Sequence, residues 1–392
     1  MAAPGSPVYL DHNATTPLDP RVREAMLPWL GERWGNPSSV HAFGQAAREA
    51  VEAAREQVAD LLGARPPEVV FTASGTEANN AVMFDAARRA GNAGHVVVSA
   101  LEHPSVRAAA ARLEAAGMEV SRIPPGRDGV VPAAAVLAAL RPDTRLVCLM
   151  RAHNELGTLQ PVAEVAAACR ERGILLLCDA VQAVGKIAVD VNALGADFLT
   201  LGAHKFGGPL GAAALWVRKG RPLDGLLVGG SQERRRRAGT ENVPAIVGLG
   251  AAAALAAAEL PARGSHLTAL RDRFEEGLRD LSGAIVHCAG SPRLPNTSNF
   301  ALPGVEGEAL LIRLDLAGYA VSTGAACASG TVEPSPALLA AGIPEAEALS
   351  SLRVSFGPAN RAEEVAAFLA VLTRETAALR HLGTAAAAPV GA

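Results

Sequence analysis

Short apolar runs of strand type alternate with stretches of helical spacing from residue 69 to residue 217. Strands that are separated by helices usually pair in parallel, so this alternation predicts a mostly parallel sheet with helices on both faces. In such sheets, ligands bind beyond the carboxyl ends of the strands. Polar residues follow five of the predicted strands at that end: Ser74 to Thr76, His103, Asn154, Asp179 and the pair His204-Lys205. We therefore expect a binding site at this edge of the sheet.

Lys205 stands out because lysine is rare in this chain. Only Lys186, Lys205 and Lys219 are lysines among the 36 basic residues, and the pattern places Lys186 at the mouth of a strand and Lys219 in a turn. The glycines that follow Lys205 would let a bulky ligand approach the backbone. An amine here and the carboxylate of Asp179 suit pyridoxal phosphate (PLP), which needs a Schiff-base partner and a pyridinium partner. A surface lysine and a helix-capping aspartate have the same spacing, so the residues alone leave both interpretations open.

The small residues of segment 72–80 form a predicted turn that connects a strand to the helix after it. Backbone amides at such a helix N-terminus attract phosphate, although a plain N-capping turn is the commoner meaning. No Gly-Lys-Ser/Thr follows, so the segment is not a Walker loop. No Gly-x-Gly-x-x-Gly follows the first strand either, which disfavours a nucleotide- or NAD-binding protein on a doubly wound sheet.

Cys327 differs from the other cysteines, which lie in or beside apolar elements (Cys148, Cys169, Cys178 and Cys288). It sits among Gly, Ala, Ser and Thr in segment 323–331, which shows no apolar periodicity. An accessible thiol on a mobile loop can act as a nucleophile that travels to its substrate; an incidental loop cysteine is the alternative. Arg353 lies on a predicted strand and could clamp an amino-acid carboxylate or form a surface salt bridge.

The composition is that of an ordinary globular protein, with 392 residues, 49% hydrophobic and 19% charged. This length predicts two domains, or one large domain with an appendage. A net charge of -3 gives no reason to expect direct nucleic-acid or membrane binding. The five cysteines show no paired spacing, so we expect neither disulfides nor a zinc site, and we expect a reducing cytoplasm. The N-terminus lacks the pattern of a secretory signal, and the apolar stretch 248–260 is too short to span a bilayer.

Eight short motifs follow one another along nearly the whole chain. They are Tyr9-Leu-Asp-His-Asn-Ala-Thr-Thr-Pro17, Gly35-Asn-Pro-Ser-Ser-Val-His41, Gly75-Thr-Glu-Ala-Asn-Asn80, Glu102-His-Pro104, Asp179-Ala-Val-Gln-Ala-Val-Gly185, Ala203-His-Lys-Phe-Gly-Gly208, Arg237-Ala-Gly-Thr-Glu-Asn242 and Ser351-Leu-Arg-Val-Ser-Phe-Gly357. Each motif is weak alone, but in this order they are highly specific. With them the chain closely resembles the cysteine desulfurases of the NifS/IscS branch, within the class V, fold-type I PLP enzymes.

The resemblance implies an α/β fold of fold-type I. A large domain, residues 14–258, would hold a mostly parallel seven-stranded sheet flanked by helices. Residues 1–13 and 259–383 would form a small α+β domain that carries the Cys327 loop, and residues 384–392 would be a disordered tail. The active unit would be a homodimer.

The implied activity is conversion of L-cysteine to L-alanine, with the sulfur left on Cys327 as a persulfide. A sulfur-acceptor protein, either an iron–sulfur scaffold or a tRNA-thiolation protein, would then take the sulfur. Selenocysteine lyase, or another class V PLP aminotransferase, is the alternative within the fold. A catalytically silent scaffold for sulfur proteins is a third possibility.

The resemblance also implies roles around the PLP cofactor. Lys205 would form the Schiff base and later carry a proton, and Asp179 would pair with the pyridine nitrogen. Gln182 would reach the phenolic oxygen, while His103 would stack on the ring and help to move protons. Four residues would hold the phosphate: Gly75, Thr76, His204 and, from the partner subunit, Thr240.

The substrate would be held through its carboxylate by Arg353, Asn154 and Asn13, with Asn154 also next to the cofactor. Cys327 would attack the substrate sulfur. One departure from the family pattern concerns the phosphate, because many relatives carry Ser three residues before the lysine, where this chain has Gly202. The missing hydrogen bond would then be absent, or be supplied by Thr200 or a backbone amide.

Overall fold

The computed structural model of the chain describes residues 7–323 and 333–387. Its strands are β1 (Val8–Tyr9), β2 (Val69–Thr72), β3 (His95–Ser99), β4 (Glu119–Ile123), β5 (Thr144–Cys148), β6 (Leu175–Asp179), β7 (Phe198–Gly202), β8 (Ala213–Val217), β9 (Ile285–Val286), β10 (Thr297–Ala301), β11 (Tyr319–Ala320) and β12 (Ser351–Ser355). Its α-helices are α1 (Pro20–Leu30), α2 (Ala42–Leu62), α3 (Gly75–Arg89), α4 (Pro104–Ala115), α5 (Ala133–Ala138), α6 (Val162–Glu171), α7 (Val191–Leu194), α8 (Val243–Leu278), α9 (Gly307–Leu316), α10 (Pro336–Ala340), α11 (Glu345–Leu349) and α12 (Ala362–Ala387). Short 3₁₀ turns lie at Pro66–Glu68, Ala203–Lys205 and Gln232–Arg235.

Seven strands form the main sheet in the order β2-β8-β7-β6-β5-β3-β4. The five strands from β3 to β7 pair in parallel, whereas β8 runs antiparallel to both of its neighbours, β7 and β2. Between β7 and β8 there is a turn but no α-helix, and without a helical crossover the chain returns alongside in the opposite direction. The predicted mostly parallel seven-stranded sheet is confirmed.

Both faces of the main sheet are buried because helices cover each of them. On one face, α2 and α8 pack against each other and contribute to a core with strand residues such as Phe71, Val97 and Leu199. On the other face, α3 and α4 pack together over Val70 and Val96. Neighbouring strand residues point to opposite faces, so an apolar run such as 96–98 supplies both cores.

A separate core lies over the antiparallel sheet of β9, β10 and β12. Its centre is a cluster of aromatic rings around Phe274, with Phe300, Phe356 and Phe368 at centroid distances of 5.3, 6.0 and 5.6 Å. Leu10 from the start of the chain belongs to the same core. The domain boundaries at residues 13 and 258 stay a prediction.

Helix α8 is one continuous helix of 36 residues, where the sequence predicts one helix to about residue 260 and another over 266–281. Pro261 lies inside it and removes one helical hydrogen bond. Residues on both sides of Pro261 are anchored, Leu249 in the first core and Phe274 in the aromatic core, so packing carries the helix through the proline. By length and composition α8 could cross a membrane, but half of its most apolar window is buried inside the protein, as is usual for a core helix.

Two predicted segments fall partly or wholly outside the described residues. The Cys327 loop lies outside them. Within the tail predicted to be disordered, residues 384–387 continue α12, which corrects that part of the prediction, and residues 388–392 lie outside. Alanine is the best helix former, so the run of alanines after Thr384 extends the helix.

Candidate active site

A cavity of about 390 Å³ opens at the carboxyl edge of the main sheet. Its size is within the range of small-molecule sites. Ten of the twelve predicted site residues line it: Asn13, Gly75, Thr76, His103, Asn154, Asp179, Gln182, His204, Lys205 and Arg353. Cys327 lies outside the described residues, and Thr240 lines a different groove with Gly211 and Glu233. The structure thus brings together residues that are up to 340 positions apart, from Asn13 to Arg353.

The Asp179 carboxylate is buried at the end of β6 and is held by two donors. Asn79 Nδ2 donates to Oδ2 at 2.8 Å, and the backbone N–H of Val181 donates to Oδ1 at 3.0 Å. The side chain therefore has a fixed orientation and is an acceptor at the floor of the cavity. An acceptor of this kind can hold a protonated ring nitrogen.

Asn79 and Ser105 connect Asp179 to His103, and the sequence motifs assign a role to neither. Asn79 Nδ2 also donates to Ser105 Oγ at 3.0 Å, and Ser105 Oγ lies 2.8 Å from His103 Nδ1. The backbone N–H of Ser105 donates to the same Nδ1, so this nitrogen is an acceptor and the neutral imidazole carries its proton on Nε2. Burial lowers the pKa of His103, and Lys205 and Arg107 lower it further, against the opposing effect of Asp179.

Lys205 lies in the 3₁₀ turn that follows β7, and its amine is held next to the N-terminal segment. Nζ donates to the backbone carbonyls of Asn13 and Ala14, at 2.7 and 2.6 Å. Burial lowers the pKa of Lys205 from 10.5 to about 8, and the charge of Arg353 adds to this effect. About a tenth of the amine is therefore neutral, and so nucleophilic, at pH 7, far more than for an exposed lysine. The turn needs a small residue at Gly208, where a Cβ would come within 2.7 Å of the Ala203 side chain.

The N-terminus of α3 and His204 also line the cavity. Ser74 caps the helix by accepting from the backbone N–H of Glu77 at 3.1 Å, and Gly75 and Thr76 form its first turn. Free amides at a helix start favour an anion. Burial lowers the pKa of His204 to about 4, with Lys205 and Lys186 contributing, so this imidazole is neutral and available for hydrogen bonds.

Many relatives carry a serine where this chain has Gly202, and a Cβ at this position would make ordinary van der Waals contact, with His204 as its nearest neighbour at 3.6 Å. Two residues earlier, the Thr200 hydroxyl is fully buried and has no hydrogen-bond partner within the described residues. Asn79 Oδ1 and Arg353 Nε are unpaired in the same sense. Unpaired buried polar groups are costly, so these atoms favour a polar ligand in or next to the cavity.

Arg353 reaches the cavity from β12, in the second sheet. Its Nη1 donates to the backbone carbonyl of Asn154 at 3.1 Å, and its Nη2 pairs with Asp11 Oδ1 at 2.5 Å. The guanidinium is almost fully buried and points its charge at the ligand space, where a carboxylate could pair with it. The interpretation as a surface salt bridge is wrong, because the side chain is 5% exposed.

Asn13 is placed at the cavity, but its side chain is already fully bonded. Its Nδ2 donates to the backbone carbonyl of Asn154 at 3.0 Å and to Thr297 Oγ1 at 2.8 Å. Its Oδ1 accepts from Lys186 Nζ at 2.7 Å and from Asn296 Nδ2 at 3.1 Å. Both N–H groups and both lone pairs are used, so contact with a substrate carboxylate would require one of these bonds to break.

Lys186 was predicted at the mouth of a strand, and this is wrong. It lies in the turn segment 181–186 after β6, is 5% exposed, and reaches under the cavity to Gln182 Oε1 at 2.7 Å. The position is invisible in the sequence because a Gly-Lys-Ile string is also typical of an exposed turn.

Comparison with known proteins agrees with this geometry. Residues 8–368 match the family described as Aminotransferase class-V. Cysteine desulfurase IscS of Dictyoglomus turgidum is 44% identical over 377 residues, 96% of each chain. A solved NifS-like protein superposes with a TM-score of 0.88 at 35% identity, over 94% of this chain and 98% of that one. A structure of SspA in complex with cysteine has a TM-score of 0.79 at 34% identity, over 89% and 99% of the two chains. As its motifs predict, the chain therefore belongs to the class-V aminotransferase family, and cysteine desulfurases are among its relatives.

Proposed function

We propose that this protein is a PLP-dependent cysteine desulfurase. It would convert L-cysteine and the thiol of one enzyme cysteine into L-alanine and an enzyme persulfide, so the sulfur atom moves and no external oxidant is needed. The observation that carries the proposal is the convergence of Lys205, Asp179 and Arg353 on one cavity, in a chain 44% identical to a relative called cysteine desulfurase IscS. The cysteine bound to SspA supports the same substrate class.

The residues of the cavity fit PLP. Lys205 offers an amine with a lowered pKa, Asp179 offers an oriented carboxylate, and the start of α3 with His204 offers donors for a phosphate. Thr200 does not line the cavity, so its unpaired hydroxyl would replace the serine missing at position 202 only after its side chain rotates toward the phosphate. Bound PLP supplies an electron sink for the amino acid, which makes the substrate sulfur open to attack by a thiolate.

The chain's own residues would orient the substrate and move protons. Arg353 would exchange its pairing with Asp11 for the substrate carboxylate. The hydrogen bond from its Nη1 to the backbone carbonyl of Asn154 would keep the guanidinium in place. Lys205, with a pKa of about 8, can give or take a proton near neutral pH, and neutral His103 can act beside it. Cys327, on the evidence of its sequence surroundings alone, would receive the sulfur.

Cys327→Ser is expected to lower anaerobic sulfide and alanine formation from L-cysteine by at least about 100-fold, because the hydroxyl cannot accept the sulfur. Alanine and sulfide are measured in the same reaction. Cys169→Ser is the matched control, since Cys169 is buried in α6 and burial raises the pKa of its thiol to about 12.

The same pair of variants separates the alternatives. A selenocysteine lyase or an aminotransferase would keep its main activity in Cys327→Ser, and that result would overturn the desulfurase assignment. A silent scaffold would show the near-visible absorbance of bound PLP with no alanine from either protein. A colourless protein that does not take up added PLP would refute the assignment of PLP as the cofactor.

Covalent uptake of PLP by the cofactor-free protein should accelerate with pH through a midpoint near 8. Lys205 can attach to an aldehyde only as the neutral amine, and burial followed by Arg353 lowers its pKa to about 8. Below that pH the amine is mostly protonated and the uptake of PLP is slow. Above it the neutral amine dominates and the uptake is fast. Stopped-flow absorbance measures the rate at each pH. A midpoint near 10.4, the value of an exposed lysine, would show that the amine does not lie in this environment.

We also propose that the active unit is a homodimer. Two adjoining, mostly polar grooves lie on one surface, one lined by Pro37 and Ser231, the other by Gly211 and Thr240. Close to them in the chain, large apolar side chains stand exposed in segment 30–43, at Leu210 and in segment 226–228, among them Val40 at 84% and Val228 at 90%. An apolar surface of this kind favours a second copy as its cover. Such a dimer would bring Thr240 to the partner's phosphate site, and Thr240 does not reach the cavity of its own chain.

For the persulfide sulfur we propose transfer to an acceptor protein in the cytoplasm, an iron–sulfur scaffold or a tRNA-thiolation protein. The four described cysteines are all free thiols, which fits a reducing compartment.

A further inference from the structure

The amine of Lys186 lies buried directly behind the cofactor pocket. Its Nζ donates to Gln182 Oε1 and to Asn13 Oδ1, both at 2.7 Å. It has no ion pair within the described ranges 7–323 and 333–387. Burial without a carboxylate partner is expensive for an ammonium, and a lysine in such a place is usually retained for a function.

The two bonds of Lys186 fix two side chains of the site in one orientation. The amide nitrogens of Asn13 and Gln182 donate to oxygens elsewhere, so their amide oxygens face Lys186, which has N–H donors in either charge state. Gln182 then has its Nε2 on the other side, where one N–H donates to the backbone carbonyl of Asn13 at 2.9 Å. The second N–H of Nε2 is left for a group in the cavity that Gln182 lines.

The carbonyl of Asn13 connects this arrangement to the reactive amine. It accepts from Gln182 Nε2 and also from Lys205 Nζ, at 2.7 Å. If Lys186 lost its donors, Asn13 would still be held by its three other side-chain bonds. The Gln182 amide would keep a single bond, from Nε2 to the Asn13 carbonyl, so its oxygen could turn toward the ligand.

We propose that Lys186 is a positioning residue, which holds the Gln182 amide so that its N–H faces the phenolic oxygen of PLP. The inference rests on the proposed cofactor. Positive or titratable groups surround the amine on several sides: Lys205, Arg353, His12 and His204. Burial and the charges of Lys205 and Arg353 lower the pKa of Lys186, while the two bonds are kept by the neutral amine.

The test uses the holoenzyme and follows the near-visible PLP band against pH. Lys186→Met keeps the apolar stem and removes the donors. A lost N–H at the phenolic oxygen makes that oxygen more basic, so the band's titration midpoint should rise by about half a pH unit or more, the size of one hydrogen bond. Lys219→Met is the matched control, because Lys219 is exposed, and it should leave the midpoint unchanged.

Two further variants show whether the effect runs through Gln182. Lys186→Arg restores donors, and the cavity of about 170 Å³ beside Lys186 has room for the larger head, so the midpoint should return toward that of the unmodified enzyme. In a Gln182→Leu background, Lys186→Met should add no further shift. Should Lys186→Met not fold, Lys186→Leu, which also lacks a donor, takes its place in the same comparisons.

An unchanged midpoint in Lys186→Met, or the same shift with and without Gln182, would overturn the inference while leaving the proposed function intact. Absence of any near-visible band in the unmodified protein would instead refute the proposed function. The two failures are therefore distinct.

Discussion

Lys205→Ala is expected to remove the near-visible absorbance of bound PLP and to lower alanine formation by about 10³-fold or more. Lys205 is the amine that lies in the cavity with a pKa of about 8, so it alone combines position with a neutral, reactive form. The variant loses covalent attachment of the cofactor and a proton carrier together. Absorbance after gel filtration, and alanine release from L-cysteine, measure the two losses.

Lys219→Ala is the control for this prediction, because it removes an exposed lysine from the turn after β8. It should keep both the band and the activity. A Lys205→Ala protein that still carries the band after gel filtration, and that retains the cofactor as a covalent adduct after borohydride reduction, would mean that another amine holds the cofactor. A single primary amine added in solution should restore part of the activity if only the proton carrier is missing.

Glu233→Ala is expected to destabilise the fold by roughly 3–5 kcal/mol, the usual cost of breaking a buried ion pair by removing one partner. Glu233 accepts from both guanidinium nitrogens of Arg55, Nη1 at 2.7 Å and Nη2 at 2.8 Å, and from the backbone N–H of Phe71 at 3.0 Å. The pair is nearly inaccessible to water, with side-chain exposures of 4% and 2%. Removal of the carboxylate leaves the buried guanidinium with the half-exposed Glu52, 3.2 Å from its Nε, as its remaining ion-pair partner, so the lower end of this range is expected.

The backbone around Glu233 is strained, and its relaxation in the variant would offset part of the expected loss. Glu233, Arg234 and Arg235 all have positive φ, at 48°, 56° and 66°, a conformation that costs a non-glycine residue roughly 1–2 kcal/mol. The bonds of Glu233 hold this segment in place against that strain. Urea unfolding of Glu233→Ala measures the loss as a lower midpoint.

Two comparisons make the Glu233 prediction specific. Glu24→Ala removes an exposed partner of Arg23 and should leave the midpoint of unfolding unchanged, since both side chains are 61% exposed. Arg55→Met combined with Glu233→Met should be more stable than Glu233→Ala, because no charge is left unpaired. Equal midpoints for Glu233→Ala and the unmodified protein would show that the pair contributes little.

The sequence predicts the sheet and the edge at which the site lies because both follow from local patterns. Strand-helix alternation gives the parallel sheet, and residues that follow strand ends, such as Asp179 and Lys205, are brought to one edge by the topology itself. The groups that orient them were missed. Asn79 and Lys186 act through contacts across the fold, and nothing in their neighbouring residues distinguishes them from a helix-surface asparagine or a turn lysine.

Tertiary packing also decided what local rules could not. Pro261 predicts a break in the helix, but packing contacts on both sides of the proline keep α8 continuous. The sequence motif assigns Thr240 to the phosphate site, but in its own chain Thr240 lines a different groove from the cavity. Such a residue can be assigned only by considering a second subunit.

The bonds of Asn13 have a consequence for synthesis on the ribosome. Asn13 is made among the first residues, yet its partners include Thr297, Asn296 and Ser355, which are made near the end. Strand β1 likewise has β11 as its partner, Tyr9 with Ala320. Translation proceeds from the N-terminus, so the amino-terminal segment must stay unpaired until almost the whole polypeptide has left the exit tunnel. The carbonyl that receives the reactive amine is therefore among the first groups translated and among the last to reach its final place.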